Sequence, residues 1–223
     1  MSENKSMAPI LAIETSGDLC SVALLKDENV YYEINANEKN IHSEILFKLV
    51  DNVLAKSGVT LNEVKTLAVS NGPGSFTGLR IGVAAAKGIA SGAKLPMVFV
   101  PTFEALAMQI SNYLPENSKF IIANKVNGAE YYFAKYESGK GNSYSVLDEL
   151  QIIAAQDLKA KAGDAEKYFG NYQSKGANII SSPRSIFIAL WAYYFGKDLL
   201  TFNFDLIEPN YLKKLNIKQG VSK

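Results

Sequence analysis

Five glycines crowd one short stretch of this sequence, and glycine-rich turns of this kind can hold phosphate. The run Ser70–Ala90, SNGPGSFTGLRIGVAAAKGIA, follows a strand-like segment and leads into a helix-like one. Backbone N–H groups and the helix dipole at such a helix start together favour an anion. The spacing Gly72-x-Gly74-x-x-x-Gly78 differs by one residue from the dinucleotide fingerprint, however, and no Gly-Lys-Ser/Thr follows. The run therefore permits phosphate binding without matching either motif, and a tight structural turn is the simpler interpretation.

Small residues continue from this turn along one face of the predicted helix 77–91. They recur at intervals of four, three, four and three residues, at Gly78, Gly82, Ala85, Ile89 and Gly92. Glycine costs up to about 1 kcal/mol per helical site relative to alanine, so repeated glycine indicates a compensating close contact. That contact lies either inside the chain or with another chain.

Arg80 and Lys87 are the only charged residues between Phe76 and Ser91, and they share one side of this helix. We predict that they rim a partner surface and steer association, with a solvated helix edge as the alternative.

The residues suited to metal or nucleophilic chemistry are few. The chain has one histidine, His42, and one cysteine, Cys20. A metal site needs several ligands at fixed geometry, so we expect no metal and assign His42 to a helix start. Cys20 lies in a strand-like run, where a small buried residue is expected, and a single cysteine forms no internal disulfide.

The elements around these residues follow a recognisable order. The runs ILAIET, CSVALLK and VYYEIN are separated by turn clusters and predict an antiparallel meander. HSEILFKLVDNVLAKSG predicts an amphipathic helix closed by Gly58, and Thr60 with Glu63 has capping-box spacing. The order β-β-β-α-β-α-β-α is completed by the short buried strand TLAVS (Thr66–Ser70), the glycine run with its helix, the strand MVFV and a helix from Thr102.

The second half gives weaker signals. KFIIAN, AEYYFAKY and YSVLDEL are predicted strands, and SSPRSIFIALWAYYFG predicts a helix capped by Ser182 with Pro183 first and Gly196 last. AGDAEKYFG is interpreted as a structural turn at Gly163 and Asp164. A lobe boundary is expected near Pro101.

Composition excludes several classes of partner. With 23 basic and 22 acidic residues among 223, no overall field attracts nucleic acid or membrane. No stretch approaches the roughly 20 apolar residues that span a bilayer, and the polar start is unlike a leader, so we expect a cytoplasmic protein without membrane contact. The C-terminal YLKKLNIKQGVSK carries lysines and no acid, so contact with RNA phosphates in a larger complex is one alternative, but such lysines are expected to be simply solvated.

Three stretches in order carry a resemblance to a known family. ILAIETSGDLCSVALL, HSEILFKLVDNVL and SNGPGSFTGLRIGVAAAKGIA resemble the TsaB (YeaZ) family of threonylcarbamoyladenosine (t6A) biosynthesis on tRNA. The resemblance is strong from Ile10 to Leu106 and thins beyond. ANKVNGAEYYFAKY is similar to a family stretch but departs from it at Asn124 and Lys125, and EPNYLKK is similar to a family ending.

The resemblance implies a fold and a role. The fold would be α/β, the two-lobed actin-like (ASKHA) fold in which each lobe is a mixed sheet flanked by helices. Residues 1–101 would form a partner-binding lobe and residues 102–223 a second lobe, whose last helix can return to the first. The chain would be a non-catalytic subunit, without cofactor, that activates a TsaD-like transferase. A TsaE-like ATPase would join the complex, and the chain alone could form a homodimer.

The same resemblance assigns site residues. A vestigial phosphate loop falls on Glu14, Thr15, Ser16 and Gly17. The partner interface would join two helices of each subunit in a four-helix contact. Its expected residues are His42, Ile45, Leu46, Leu49, Val53, Thr77, Gly78, Arg80, Ile81, Gly82 and Ala85. On this interpretation Gly82→Leu should leave the monomer folded and weaken only partner binding.

Two other functions remain open at this point. A sugar-kinase-like ATPase acting alone is favoured by the implied fold and Glu14, and disfavoured because no second phosphate loop is found. A metallopeptidase is disfavoured by the single histidine. ATP binding and metal content of the purified chain separate these readings.

Overall fold

Two mixed sheets with helices packed on them form the architecture of the chain. The computed structural model describes residues 6–38, 41–163, 167–172 and 180–212. The strands are β1 (Ile10–Glu14), β2 (Leu19–Leu25), β3 (Tyr31–Asn37), β4 (Thr66–Ser70), β5 (Met97–Val100), β6 (Lys119–Lys125), β7 (Glu130–Ser138), β8 (Tyr144–Ala154) and β9 (Lys167–Phe169). The helices are α1 (His42–Ser57), α2 (Phe76–Ala93), α3 (Thr102–Ser111), α4 (Leu158–Ala162) and α5 (Ser185–Phe195). The predicted α/β class and the N-terminal order of elements are confirmed.

The first sheet has the order β3-β2-β1-β4-β5. The meander β1 to β3 is antiparallel, whereas β4 and β5 run parallel to β1. Two helices cover one face of this sheet, because α1 and α2 each bury an apolar stripe against it, including Leu46, Val53 and Val83. Gly58 ends α1 with φ 69°, and Thr60 with Glu63 forms the predicted capping box before a 3₁₀ turn.

The opposite face of the first sheet is covered by α5. This helix is apolar nearly all round and packs on β1 and β2, with Ile188 and Ala192 fully buried. Helix α3 contacts both sheets. Its Ala105 and Met108 pack with α5 in the core under the first sheet, whereas Phe103 and Leu106 pack under the second sheet. The second sheet has the order β8-β7-β6-β9, and α4 packs on its far face. The lobe boundary near Pro101 stays a prediction.

Helix α5 begins later than its sequence suggests. The prediction of Ser182 as N-cap and Pro183 as first residue is wrong, because the helix starts at Ser185 after an extended Arg184. The N-terminus is capped from a distant strand, where Glu33 Oε1 accepts the backbone N–H of Ile186 at 3.0 Å. Ser182 instead packs against Gly17, in the loop that follows β1.

A C-terminal strap, residues 201–211, crosses the edge of the first sheet and then runs beside α2. Thr201 exchanges two backbone hydrogen bonds with Met97 of the edge strand β5, at 2.8 and 3.0 Å. Phe204 is buried in the core beneath α2, and the N–H of Asn210 donates to the carbonyl of Asn71 at 2.7 Å. The strap is therefore anchored at both ends. Within the described ranges, no helix has the length and apolar character needed to cross a membrane.

Candidate functional site

The predicted phosphate loop is the turn that follows β1. Glu14 ends the strand, and its Oε1 accepts hydrogen bonds from the backbone N–H and the hydroxyl of Ser16, each at 2.5 Å. In a working phosphate loop such N–H groups point at the ligand. Here the backbone donor of Ser16 is turned inward and satisfied by the chain's own carboxylate.

Helix α2 and its preceding turn close this loop from one side. The hydroxyl of Thr15 donates to the carbonyl of Gly78 at 2.8 Å, and the N–H of Ser75 donates to the carbonyl of Ser16 at 2.7 Å. A Cβ at Gly74 would stand 2.5 Å from that same carbonyl oxygen. The glycines of the run thus let α2 and its preceding turn pack directly against the backbone of the loop.

The other side of the loop is closed by two distant residues. Nε2 of His42 lies 3.0 Å from the carbonyl oxygen of Gly17. A Cβ at Gly17 would meet the hydroxyl of Ser182 at 2.6 Å. The single histidine therefore joins the start of α1 to the loop.

Glu14 is fully buried, and this position changes its acidity. Burial raises the pKa of Glu14 to about 7 from an ordinary 4.5, against the opposing effect of the hydrogen bonds from Ser16. Among the residues that the structure describes, the second oxygen of Glu14, the hydroxyl of Ser70 and the amide oxygen of Asn71 are buried without a partner at ordinary hydrogen-bond geometry, although the Ser70 hydroxyl is near enough to Glu14 to lower its pKa slightly. A carboxyl group in such a pocket is easily kept neutral, which suits an internal structural acid better than a phosphate contact.

The residues predicted for the partner interface divide into two groups. Seven are buried within the chain itself: His42, Leu46, Leu49, Val53, Gly78, Gly82 and Ala85. The prediction of a partner-facing small stripe is wrong for Gly78 and Gly82, because both lie against Thr15. A Cβ would meet the carbonyl oxygen of Thr15 at 2.0 Å from Gly78, and its hydroxyl at 2.1 Å from Gly82. The close contact that the glycines imply is internal.

The remaining four predicted residues reach the surface. Thr77 and Arg80 are exposed, and Ile45 and Ile81 are half-buried. Sequence reasoning missed two large apolar neighbours, Phe47 at 55% exposure and Phe76 at 36%. A signal existed for Phe47, which stands on the polar face of an otherwise amphipathic helix.

Arg80 and Lys87 contact the strap of their own chain. The Arg80 guanidinium lies 3.9 Å from the centre of the Phe76 ring, and its Nε donates to the Tyr211 hydroxyl at 3.1 Å. The Tyr211 ring is 4.9 Å from that of Phe76, centre to centre. Nζ of Lys87 donates to the carbonyl of Asp205 at 2.9 Å. Both cations thus hold the strap against α2, and their role in steering stays a prediction.

The other candidate groups are structural or lie outside the described residues. Cys20 is a free, buried thiol whose pKa is raised to about 11 by desolvation and then by the charge of Glu14. Asn124 donates to the carbonyl of Ser181 at 2.6 Å. Gly163 follows α4, whereas Asp164 and the tail from Lys213 lie outside the described residues. In the part of the chain that the structure describes, no three His, Cys, Asp or Glu residues are grouped to hold a metal ion.

Comparison with known proteins gives consistent matches. A family model described as TsaD, tRNA N6-adenosine threonylcarbamoyltransferase, matches residues 30–175. The chain is 38% identical over 130 residues to the Escherichia coli tRNA threonylcarbamoyladenosine biosynthesis protein TsaB, covering 57% of this chain and 54% of that protein. It is 36% identical over 150 residues to the Bacillus subtilis TsaB, covering 67% and 64%. The chain therefore spans about half the length of the E. coli relative and somewhat more of the B. subtilis one.

A solved structure shares the fold. It is described as an uncharacterized protein with similarity to peptidase YEAZ from Pseudomonas aeruginosa. The TM-score is 0.76 with 22% sequence identity, over 92% of this chain and 99% of that one. At this identity the likeness concerns the arrangement of the elements alone.

Proposed function

The chain belongs to the TsaD family, described as tRNA N6-adenosine threonylcarbamoyltransferase, and we propose that it is a TsaB-type subunit that activates the transferase without performing the chemistry. Its partner would be a TsaD-like catalytic subunit. That subunit would transfer a threonylcarbamoyl group to the amine of the adenosine beside the anticodon. This chain would supply binding surface and stabilise the active form of its partner.

The observation that carries the non-catalytic role is the closed phosphate loop. Three of its four residues, Glu14 to Ser16, are buried. The Thr15 hydroxyl and the N–H and hydroxyl of Ser16 are hydrogen-bonded within the chain, the last two to Oε1 of Glu14. A catalytic member must open this loop to phosphate and metal, which here would require moving α2 away from Thr15. The absence of side chains at Gly74, Gly78 and Gly82 permits this closed arrangement.

The surface that supports partner binding is the outer side of α1 and α2. These helices lie next to each other on one face of the first sheet. The residues available there are Ile45, Phe47, Phe76, Thr77 and Ile81. Exposed aromatic residues beside small and polar ones are typical of the centre of an interface. We assign the docking of the catalytic subunit to this side.

The same proposal extends to the other members of the complex and to its setting. A TsaE-like ATPase would join the complex through the catalytic subunit, and tRNA would meet this chain only indirectly. Without its partner the chain would pair with itself through the same helices. The proposed setting is the cytoplasm, where tRNA is modified.

The two alternative functions predict different measurements. A stand-alone ATPase would bind ATP with Mg²⁺ saturably, whereas a loop filled by Thr15 and Gly78 should not. A metallopeptidase would retain metal after purification, whereas the one histidine is engaged with the Gly17 carbonyl. Calorimetry with ATP and elemental analysis of the pure chain distinguish them.

The decisive experiment is reconstitution of tRNA modification. The catalytic and ATPase subunits would be assayed for threonylcarbamoyl transfer with and without this chain. We expect transfer to depend on the chain and to survive Glu14→Gln, because that change keeps the loop closed. Undiminished transfer in the absence of the chain would contradict the activating role, and loss of transfer with a folded Glu14→Gln variant would contradict the non-catalytic one.

A further inference from the structure

The two parts of the strap are attached to the rest of the chain in very different ways. The first part, residues 201–204, pairs with the edge strand β5 through Thr201 and buries Phe204 beneath α2. The outer part, residues 205–211, contains no buried residue, and its Leu206 is 91% exposed. Because buried apolar surface is the main source of stability, the outer part has the weaker attachment.

The contacts that hold the outer part lie at the surface. The hydrogen bond from Arg80 to the Tyr211 hydroxyl and the one from Lys87 to the Asp205 carbonyl are both exposed to solvent. Such bonds contribute little to stability, since water replaces either partner when they open. The outer end is fixed by the backbone bond from Asn210 to Asn71. The outer part can therefore separate from α2 without unfolding of the core.

A groove of about 270 Å³ lies between the outer part and α2. Val83 and Ala84 line it on the helix side, and Ile207 and Pro209 line it on the strap side. The outer part thus spans α2 without packing closely on it. Moving it away would break few close apolar contacts.

The covered side of α2 adjoins the surface that we assign to the catalytic subunit. Phe76, Arg80 and Lys87 share one side of the helix, and Thr77 and Ile81 lie on the next. Phe76 belongs to both surfaces, because its ring lies 4.9 Å from that of Tyr211, centre to centre. A partner that binds the exposed side of α2 can reach the whole Phe76 ring only when Tyr211 moves.

We propose that residues 205–211 form a displaceable cover over α2, which the catalytic subunit must move aside to bind fully. The partner and its docking side are those of the proposed function, on which this inference rests. The closed cover occupies Phe76, Arg80 and Lys87, whereas the open state offers an aromatic ring and two cations to acidic and apolar groups of the partner. Thr201 and Phe204 keep the strap attached throughout.

The cover has a consequence for affinity. A chain that binds only in its open state shows an apparent affinity reduced by the fraction of molecules that are open. Closure also shields part of an aromatic surface while no partner is present. The strap is thus an autoinhibitory contact of moderate strength.

Amide hydrogen exchange of the full chain tests the opening without any partner. We expect the Asn210 amide to exchange through local opening, well before the Leu67 amide of the interior strand β4. Tyr211→Ala should accelerate exchange at Asn210 about fivefold, because it removes the ring contact with Phe76 and the bond from Arg80. An Asn210 amide that exchanges only with global unfolding, at the rate of Leu67, would overturn the cover.

Titration calorimetry with the catalytic subunit tests the competition. Tyr211→Ala should bind up to about fivefold more tightly than the wild type, because the cover is closed less often. Tyr31→Ala is the matched control, since Tyr31 is 46% exposed on β3 at the opposite edge of the first sheet, and its affinity should not change. A strap that is a fixed wall of the interface predicts the opposite result, because Tyr211→Ala would then remove a partner contact and weaken binding.

The outcomes separate this inference from the proposed function. Weaker or unchanged binding by Tyr211→Ala, or slower exchange at Asn210 in the complex, overturns the cover and leaves the activating role intact. A catalytic subunit that binds neither the wild type nor Tyr211→Ala contradicts the proposed function, and exchange in the free chain then decides whether the outer part opens. Tighter binding by Tyr211→Ala with faster exchange at Asn210 in the complex supports both.

Discussion

Replacing Gly78 by alanine tests whether the glycine stripe packs inside this chain. The added Cβ would lie 2.0 Å from the carbonyl oxygen of Thr15, a backbone atom that cannot rotate away. Overpacking of this kind costs about 1–3 kcal/mol and occasionally more, while the gain in helix propensity is at most about 1 kcal/mol. We therefore expect a net loss of about 2 kcal/mol, which for a chain of this size lowers the melting temperature by roughly 4–8 °C.

The same helix supplies a control. Gly88 lies on the exposed side of α2, and a Cβ there would meet nothing within 4 Å. Gly88→Ala should thus raise the free energy of unfolding by about 0.5–1 kcal/mol. Gly82→Ala should fall between the two, because its obstacle is the Thr15 hydroxyl, which can turn at the expense of its hydrogen bond to Gly78.

Urea unfolding followed by circular dichroism would measure all three variants against the wild type. Gly78→Ala as stable as Gly88→Ala would refute the internal packing and return the stripe to the surface. The structure also reverses the earlier expectation for Gly82→Leu. That variant should lose folding stability, because a leucine has still less room against Thr15 than an alanine.

Three further predictions concern the groups around the loop and the α5 cap. Burial raises the pKa of Glu14 to about 7, so the stability that this residue contributes should be complete below about pH 4.5 and lost as the pH rises through 7. The free energy of unfolding should change by up to about 3 kcal/mol over this range. Unfolding curves measured across the range should lose this pH dependence in Glu14→Gln. Glu33→Ala should cost about 1–3 kcal/mol in urea unfolding, because it leaves the buried N–H at the start of α5 without its acceptor while the partly exposed Arg184 regains water. A loss below about 0.5 kcal/mol would contradict that assignment. His42→Ala should lower the free energy of unfolding by about 1–2 kcal/mol, because it removes the hydrogen bond to the Gly17 carbonyl. The metal content of the purified protein should not change, and a fall in bound metal would support a ligand role for His42.

Much of the fold was predictable from local sequence. Strand β4 was predicted at its observed bounds, and Gly58 ends α1 as expected, because alternation, amphipathic period and capping are properties of neighbouring residues. The family resemblance added the pairing of two mixed sheets, each flanked by helices.

Only the tertiary structure decided which way each residue faces. Periodicity showed that Gly78 and Gly82 share one helix face, but a small face packs equally well on a distant loop or on another chain, and Thr15 lies 63 residues away from Gly78. The start of α5 depended in the same way on Glu33, a cap supplied from a distant strand that no local pattern indicates. Arg80 and Lys87 were read as partner contacts because the strap that binds them is more than 110 residues away. In each case the free energy comes from a contact between segments far apart in sequence, and that pairing is fixed only when the chain folds.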